Sequence, residues 1–346
     1  MNNTSNPTFL ILSLYQNHIL YNHREYYLNN IFDLNYSIII LLVQDAKIKD
    51  QTTFDSILRV KLKKLKYFQI SKIENIKDTI GSKIRIFRKS NSNLIISKNN
   101  INHSILKFDK NNKMAICLNL NFLFNNKKYK ILIINVNLYY NFKNIESNSI
   151  KQTQFLKIIK NFKLISKLKN NYNIFFAGNF NFKFIKFLGN FNNTKFKSIA
   201  SNIINNKNKN YFSDKYLSIR NENNIQIGNQ LYKYLISIKD NSSNNNNKFK
   251  LKLINKFIES IKFLGLKITC HYQEKKENKI KLYSLLQEPL IPSSCDRILF
   301  ALPKSKKNKN IIENNDIIIN KNNFNVLEKK PDYSSHRLLY LSFSLK

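Results

Sequence analysis

The stretch Pro292–Phe300, with the sequence PSSCDRILF, decides how this chain is interpreted. It leads from a short polar segment into an apolar run, Asp296–Ala301, whose Ile, Leu and Phe residues predict a buried β-strand. The polar residues of Gly178–Asn181 follow a second apolar run, and the triplet Ser334–His336 precedes a third. Polar side chains with potential chemistry therefore flank three of the predicted strands.

Short runs rich in Ile, Phe, Tyr and Leu predict strands along the whole chain. These runs are Thr8–Tyr15, Ser37–Val43, Lys83–Phe87, Met114–Phe122, Tyr129–Leu138, Asn173–Ala177, Asp296–Ala301 and Leu338–Leu345. Apolar residues at three-to-four spacing predict helices near Asn22–Leu34, Phe54–Tyr67, Ser149–Lys169 and Lys248–Phe263. Strands occur in both halves of the chain with helices between them. This order favours an α/β (α+β) fold built as a two-sheet β-sandwich flanked by helices, rather than a single doubly wound sheet.

A chain of 346 residues with 42% hydrophobic content can bury a large core, as one large domain or two small ones, and we expect a single domain over residues 8–346. Polar low-complexity runs near residues 205–210, 240–250 and 303–310 lack core-forming side chains. They predict surface loops within that domain rather than linkers.

Several segments resemble, in order along the chain, motifs of the inositol polyphosphate 5-phosphatases, a branch of the Mg²⁺-dependent endonuclease/exonuclease/phosphatase superfamily. Phe176–Asn181 is similar to G-D-x-N, Pro292–Phe300 to P-x-W-C-D-R-I-L, and Ser334–His336 to S-D-H. Upstream, Leu42–Asp45 resembles a strand that ends in Gln-Glu, and Asn111–Ile116 resembles G-N-K-G-A-V. The resemblance implies the sandwich fold of that superfamily and, in an active member, a Mg²⁺-dependent phosphatase.

The positions that carry the family's chemistry are altered in this chain. Asn179 stands where the resemblance implies a catalytic Asp, Asn137 where it implies a catalytic His, and Ser335 where it implies the Asp of S-D-H. An amide can hold a water but cannot accept its proton near neutral pH. Losing a general base typically removes ~10²–10⁴-fold in rate. Asp45 keeps the carboxylate of the implied metal ligand, one methylene shorter than the family's Glu.

Other family positions survive. Asn181, Asp296 and His336 match catalytic positions, and the resemblance implies that Asp296 orients the His336 imidazole. The same pair could equally be structural and hold two strands together. Arg297 and Tyr272 match substrate-binding positions.

Lys113 lies in the G-N-K-G-like segment and is a further candidate for substrate binding. Two family lysines and one arginine in the substrate site fall on Gln273, Glu288 and Leu290. In the first strand, either Tyr15 or Asn17 takes the position of an Asn that supports the metal.

Charge points to a partner of opposite sign. Lys and Arg number 58 against 21 Asp and Glu, which gives a net charge of +37. Such an excess indicates a polyanion, either nucleic acid in a ribonucleoprotein or an anionic, phosphoinositide-bearing membrane, although a basic surface also keeps a chain soluble. No apolar run approaches the ~18 residues of a membrane span. Three cysteines without metal-ligand spacing fit reduced thiols, so we expect an intracellular protein of the cytoplasm or an organelle matrix, not a secreted one.

Two hypotheses remain. The first is an active, divergent phosphoesterase that uses Mg²⁺ to hydrolyse the 5-phosphate of phosphoinositides or inositol phosphates. The second is a catalytically inactive protein of 5-phosphatase type, without a cofactor, that serves as a basic scaffold on a polyanion. The altered catalytic, metal and substrate positions favour the second hypothesis.

Overall fold

The computed structural model describes residues 6–15, 36–47, 60, 62–77, 80–92, 94, 96, 98–108, 113–139, 147–181, 230–243, 248–265, 273–274, 280–281, 296–326 and 338–346. Its strands are β1 Thr8–Tyr15, β2 Ile38–Lys47, β3 Tyr67–Lys77, β4 Ile80–Lys89, β5 Ile101–Lys107, β6 Met114–Phe124, β7 Lys127–Asn137, β8 Asn173–Asn179, β9 Gln273–Glu274, β10 Ile280–Lys281, β11 Asp296–Ala301, β12 Lys306–Lys307, β13 Ile311–Glu313, β14 Ile317–Asn320, β15 Phe324–Val326 and β16 Leu339–Leu345. Its α-helices are α1 Ser147–Asn161, α2 Leu164–Lys169, α3 Gln230–Ser243 and α4 Lys248–Leu264, and Lys98–Asn100 and Lys321–Asn323 form 3₁₀ turns.

The strands form two large sheets and one short pair. The first sheet has the order β12-β13-β14-β16-β1-β2-β4-β3, with β15 also paired to β16. The second has the order β11-β8-β7-β6-β5, and β9 pairs with β10. Strands β1 and β2 are parallel, as are β7 and β8. The parallel register places Asn137 beside Asn179, and the antiparallel β11 places Asp296 on the other side of Asn179.

Alternating side chains of both sheets fill the space between them. The rings of Phe9 and Phe122 and of Phe175 and Phe343 stack between the two sheets, and those of Phe9 and Phe343 stack as cross-strand neighbours within the first sheet. The opposite face of the second sheet is covered by the four helices, where Phe155 and Phe257 contact strand residues. The two-sheet sandwich flanked by helices is therefore confirmed. Within the described residues, no helix combines the length and the apolar character that a membrane span requires.

Each of the eight predicted strands is present. β1 and β11 have the predicted bounds, and the ends of the others differ by a few residues. The predicted helix Ser149–Lys169 is interrupted at Lys163, which has φ 51°, so that α1 and α2 are separate helices. The predicted helix Lys248–Phe263 is confirmed as α4.

Other expectations are only partly met. The expected loop at residues 240–250 is helical where it is described, since α3 continues to Ser243 and α4 begins at Lys248, ahead of its first buried residue, Leu253. The expected loop at residues 303–310 contains the short exposed strand β12. Phe54–Tyr67 is described only in its last turn, and Tyr67 begins β3. Asn22–Leu34 and the run at 205–210 lie outside the described residues.

Candidate active site at the strand ends

A β-bulge in β2 turns two successive polar side chains toward the second sheet. The pairing of β2 with β4 shifts register between Val43 and Ala46, which leaves Gln44 and Asp45 in the bulge. Asp45 has φ 48°, in the left-handed region that Asp tolerates better than most residues. A bulge interrupts the alternation of side chains. Consequently Gln44 and Asp45 both reach residues of β7, although neighbours in a regular strand would face opposite ways.

Gln44 and Asn135 form a fully buried amide pair between the two sheets. The Gln44 Nε2 donates to Asn135 Oδ1 at 2.6 Å. The Asn135 Nδ2 donates to the carbonyl oxygens of Val43 at 3.0 Å and Lys83 at 2.9 Å, which flank the bulge. Carbonyl groups that a bulge removes from the strand ladder need such donors when they are buried. The amide pair therefore fixes the bulge that positions Asp45.

Asp45 is the acceptor of a three-residue cluster. The Lys113 Nζ donates to its two carboxylate oxygens at 3.0 and 2.9 Å, and to Asn137 Oδ1 at 3.2 Å. The Asn137 Nδ2 donates to Asp45 Oδ1 at 2.5 Å. All three residues are largely buried, and the exposed fraction of the Lys113 side chain is 12%. The predicted metal ligand thus lies in an ion pair with the lysine of the G-N-K-G-like segment.

The end of β8 holds the two asparagines of the G-D-x-N-like motif. The Asn179 Oδ1 accepts from the backbone N–H of Asn181 at 3.1 Å, and the Asn181 Nδ2 donates to the Leu138 carbonyl at 2.8 Å. The carbonyl of Asn181 accepts from the buried Lys151 Nζ at 2.9 Å. Asn179 and Asn181 therefore fix the chain segments that follow β7 and β8. Lys151 connects these segments to α1 through the Asn181 carbonyl.

Gly178 makes the close approach of β7 and β8 possible. It has φ 135°, and a Cβ at this position would lie 2.1 Å from the Val136 carbonyl oxygen. No other residue type fits without displacing the backbone. The Gly of the motif is thus required by local packing, whatever chemistry the neighbouring Asn179 performs.

Asp296 and Arg297 lie on opposite faces of β11. Alternation places Asp296 with Ile298, which lies in the core between the sheets, whereas Arg297 shares the helix-covered face with Leu299. Both residues are buried. The structure therefore brings Asp296 to the same strand ends as Asn137 and Asn179 but turns Arg297 away from them. The substrate-binding role of Arg297 stays a prediction.

Several candidates lie outside the described residues: Ser335, His336, Tyr272 and Asn17. The backbone of Tyr15 belongs to β1, but its side chain is not described. The implied Asp296–His336 pair and the choice between Tyr15 and Asn17 therefore stay predictions.

Lys151 was not among the residues predicted from the sequence. Its spacing from the apolar Phe155 and Ile158 places it on the buried face of α1. A lysine at such a helical position is the signal that could have identified it, because a buried ammonium needs an acceptor nearby. Gln154, on the same helix, accepts from the Tyr139 N–H at 2.8 Å and supports the segment after β7 in a similar way.

The donor set that the described residues provide at these strand ends does not fit a divalent metal ion. Among the described residues, no group of three or more His, Cys, Asp or Glu side chains is arranged to hold one. Mg²⁺ binds through carboxylates and water in near-octahedral geometry. Asp45 is already bound by an ammonium and an amide, and an ammonium within 3 Å of the carboxylate oxygens would repel a second cation.

Several solved structures are similar to this chain over nearly its whole length. The chain is similar to the inositol polyphosphate 5-phosphatase domain of SPsynaptojanin, solved with inositol (1,4)-bisphosphate and calcium, at 14% identity and a TM-score of 0.53 over 98% of this chain and 84% of that one. It is also similar to truncated Caenorhabditis elegans TDP2, at 11% identity and a TM-score of 0.48 over 97% and 98% of the two chains. A third similar structure is a Cimex nitrophorin in its ferrous NO complex, at 13% identity and a TM-score of 0.49 over 98% of both chains.

No protein-family model and no curated protein matches the chain. The likeness to the 5-phosphatase domain shows that the chain has the endonuclease/exonuclease/phosphatase fold. The fold implied by the sequence motifs is thereby confirmed.

Proposed function

We propose that this chain is a catalytically inactive protein of the endonuclease/exonuclease/phosphatase fold that acts as a basic scaffold for a polyanion, with single-stranded RNA as the favoured one. The observation that carries the proposal is a group of lysines placed over aromatic rings, far from the strand ends. We call it the Lys–aromatic patch; it consists of Lys130, Lys167, Lys169, Tyr172 and Phe249.

The contacts within the patch suit a nucleic acid. The Lys167 Nζ lies 4.3 Å and the Lys130 Nζ 5.5 Å from the centre of the Tyr172 ring. The Lys169 Nζ lies 5.1 Å from the centre of the Phe249 ring, and Phe249 is 43% exposed. Ammonium groups neutralise backbone phosphates, and exposed rings provide surfaces on which bases stack. Lysines beside the exposed Phe249 ring and the half-buried Tyr172 ring therefore favour single-stranded nucleic acid over a membrane surface.

The patch belongs to a basic layer. The four helices contain many lysines, and their acidic residues are Asp240 and Glu259. Glu259 is already paired with Lys256 at 3.0 Å. Within these helices, little negative charge thus competes with a polyanion for this face of the molecule.

The patch lies at the opposite end of the second sheet from the strand-end residues. Lys130 precedes Asn137 by seven residues along β7, and Tyr172 precedes Asn179 by seven at β8. Extended strand of that length covers about 23 Å. A polyanion bound to the patch therefore need not contact the strand-end cluster. Binding at the patch does not require the strand-end site to be catalytically active.

Fluorescence anisotropy with a single-stranded RNA, in the presence of EDTA, tests the binding proposal. The variant Lys167→Glu/Lys169→Glu should weaken binding at least about tenfold and flatten the salt dependence, because two phosphate contacts are lost. The matched control Lys306→Glu/Lys307→Glu reverses the same number of charges on the exposed β12 and should change affinity much less. Equal losses of RNA affinity in the two variants would indicate non-specific charge attraction and contradict binding at the patch.

The same proteins should be tested on vesicles with and without anionic lipid. We expect Phe249→Ala to weaken RNA binding through lost stacking, by about 1–3 kcal/mol, and to leave vesicle binding little changed. Tight vesicle binding that depends on the patch while RNA binds weakly would assign the scaffold to a membrane.

A phosphate-release assay tests the inactivity. The natural chain is compared with Asn179→Asp/Asn137→His/Ser335→Asp on inositol lipids and soluble inositol phosphates with Mg²⁺. We expect no turnover by the natural chain, because Asn179 cannot take a proton from water. Turnover that His336→Ala abolishes would instead identify an active phosphoesterase for the 5-phosphate.

A further inference from the structure

Among the described residues, the charges of the Asp45 cluster balance. Asp45 contributes one negative charge and Lys113 one positive charge, and the Asn137 amide that joins them is neutral. An ammonium group has three protons and no acceptor site. The Lys113 Nζ has three acceptors within 3.2 Å, namely the two Asp45 oxygens and Asn137 Oδ1. These three contacts match the full donor capacity of the lysine.

The cluster is also tied to both sheets. Asp45 comes from the bulge of β2 in the first sheet, and Asn137 from the end of β7 in the second. Lys113 immediately precedes β6, and its carbonyl accepts from the Phe108 N–H at 2.9 Å, which fixes the approach to that strand. The ammonium therefore bridges two sheets at the point where the resemblance implied a metal ion.

We propose that the Lys113 ammonium is the resident cation of this site, so that the strand ends are held together by an internal ion pair and take no divalent metal. The proposal goes beyond the scaffold function, since an inactive protein could still keep a structural metal ion. It is also independent of the Lys–aromatic patch, whose test is carried out in EDTA.

The first test uses the natural chain. Thermal unfolding is measured in EDTA and in millimolar Mg²⁺, Ca²⁺ or Mn²⁺, and Mn²⁺ binding is followed by electron paramagnetic resonance. We expect the divalent ions to change the melting temperature by less than about 1 °C. We also expect the natural chain to bind no more Mn²⁺ than the Asp45→Asn variant does. Bound Mn²⁺ in the natural chain that is lost in Asp45→Asn would overturn the proposal.

The second test removes the ammonium. Lys113→Met keeps most of the length of the side chain but removes the ammonium group from the Asp45 carboxylate. We expect this variant to melt several degrees lower in EDTA and to recover part of the loss in millimolar Ca²⁺ or Mg²⁺, because a metal ion can then bind the carboxylate. Lys113→Met that is as stable as the natural chain in EDTA would show that the ammonium is not needed.

The matched control is Asp45→Asn/Lys113→Met, which removes both charges. It should unfold at a temperature that divalent ions do not change. If Lys113→Met alone does not fold, this double variant and the natural chain still decide the question. A double variant that divalent ions stabilise would place the metal elsewhere and contradict the assignment.

Discussion

The strand-end cluster and the Lys–aromatic patch use lysine in opposite ways. At the strand ends the Lys113 ammonium is bound on three sides by Asp45 and Asn137, and the side chain is nearly buried. In the patch, Lys169 lies over the Phe249 ring with solvent beside it. The protons of the Lys113 ammonium are directed at acceptors within the protein, whereas those of the Lys169 ammonium are available to a phosphate. A net charge of +37 therefore does not describe a uniform surface, because burial decides which lysines can bind a partner.

The difference extends to the hydrogen bonds of the two regions. Strand-end amides such as Asn135 reach across two sheets and satisfy buried carbonyls. The amide of Asn161 at the surface of α1 bonds only to the Lys157 carbonyl in its own helix, as far as the described residues show. We therefore expect the strand ends to be sensitive to substitution and the helical layer to be tolerant.

The largest contrast is expected between two glycines, one in each region. Gly178→Ala would place a Cβ 2.1 Å from the Val136 carbonyl oxygen, which should cost more than about 4 kcal/mol or prevent folding. Gly265→Ala, after α4, has φ 74° but nothing within 4 Å, so it should cost about 1–2 kcal/mol. Chemical denaturation of both variants measures the difference. Similar losses would contradict the close packing of β7 against β8.

A second contrast compares two asparagines. Asn135→Leu removes the donors of two buried carbonyls and the acceptor of Gln44, which should lower the free energy of unfolding by about 3 kcal/mol or more. Asn161→Ala should cost less than about 0.5 kcal/mol at its exposed position. Urea unfolding followed by circular dichroism checks both values. A tolerant Asn135 would mean that the bulge in β2 is held by other contacts.

A third contrast compares a buried lysine and an exposed lysine of α1. Lys151→Met leaves the buried Asn181 carbonyl without this donor and should cost about 1–3 kcal/mol. The exposed Lys157→Met should change stability by less than about 0.5 kcal/mol, although both variants lose one positive charge. RNA affinity provides a second measurement, because the loss of the buried Lys151 should affect it no more than the loss of Lys157.

The smallest effect concerns Cys117, on β6 beneath the helical layer. Burial raises the pKa of its thiol to about 12 from an ordinary value of 9.0. Since the folded form keeps its proton where the unfolded form loses it, this group supports the folded state below pH 9, and its contribution falls as the pH rises toward 12. Alkylation at pH 8, followed by mass spectrometry of each cysteine, should leave Cys117 unmodified until the protein is denatured.

A matched variant isolates that effect. Cys117→Ala should lose less stability than the natural chain between pH 9 and pH 12, because one titrating group is absent. Rapid alkylation of Cys117 in the folded protein would contradict its burial.

Much of the fold could be predicted because strand signals are local. The apolar run of β11 has the bounds that the structure shows, and the same holds for β1. The spacing of α4 also predicts its extent, since its buried residues recur at helical intervals. The strands β3, β5, β9, β10 and β12–β15 were not predicted. β5 is almost fully exposed and carries little apolar signal, so its pairing with β6 is what makes it a strand.

The candidate site was predictable only as a set of positions. The motifs identified Asp45, Asn137, Asn179 and Asp296, and the structure brings these residues to neighbouring strand ends. They did not indicate that Lys113 binds Asp45, because 68 residues of chain separate the two. Nor did they indicate that Arg297 faces the helices, although period-two alternation with Ile298 could have suggested it.

The sequence alone predicted eight of the strands, the sandwich class and the excess of positive charge, and it has Asn at position 179, where the resemblance implies an Asp. These properties follow from side-chain chemistry and from periodicity within a few residues. The tertiary structure determines which lysines form ion pairs within the protein and which remain available to bind a partner. The bulge of β2 turned Asp45 toward Lys113, and the packing of α2 against α4 brought Lys169 to Phe249. Such pairings depend on how distant segments meet, and no local pattern in the chain encodes them.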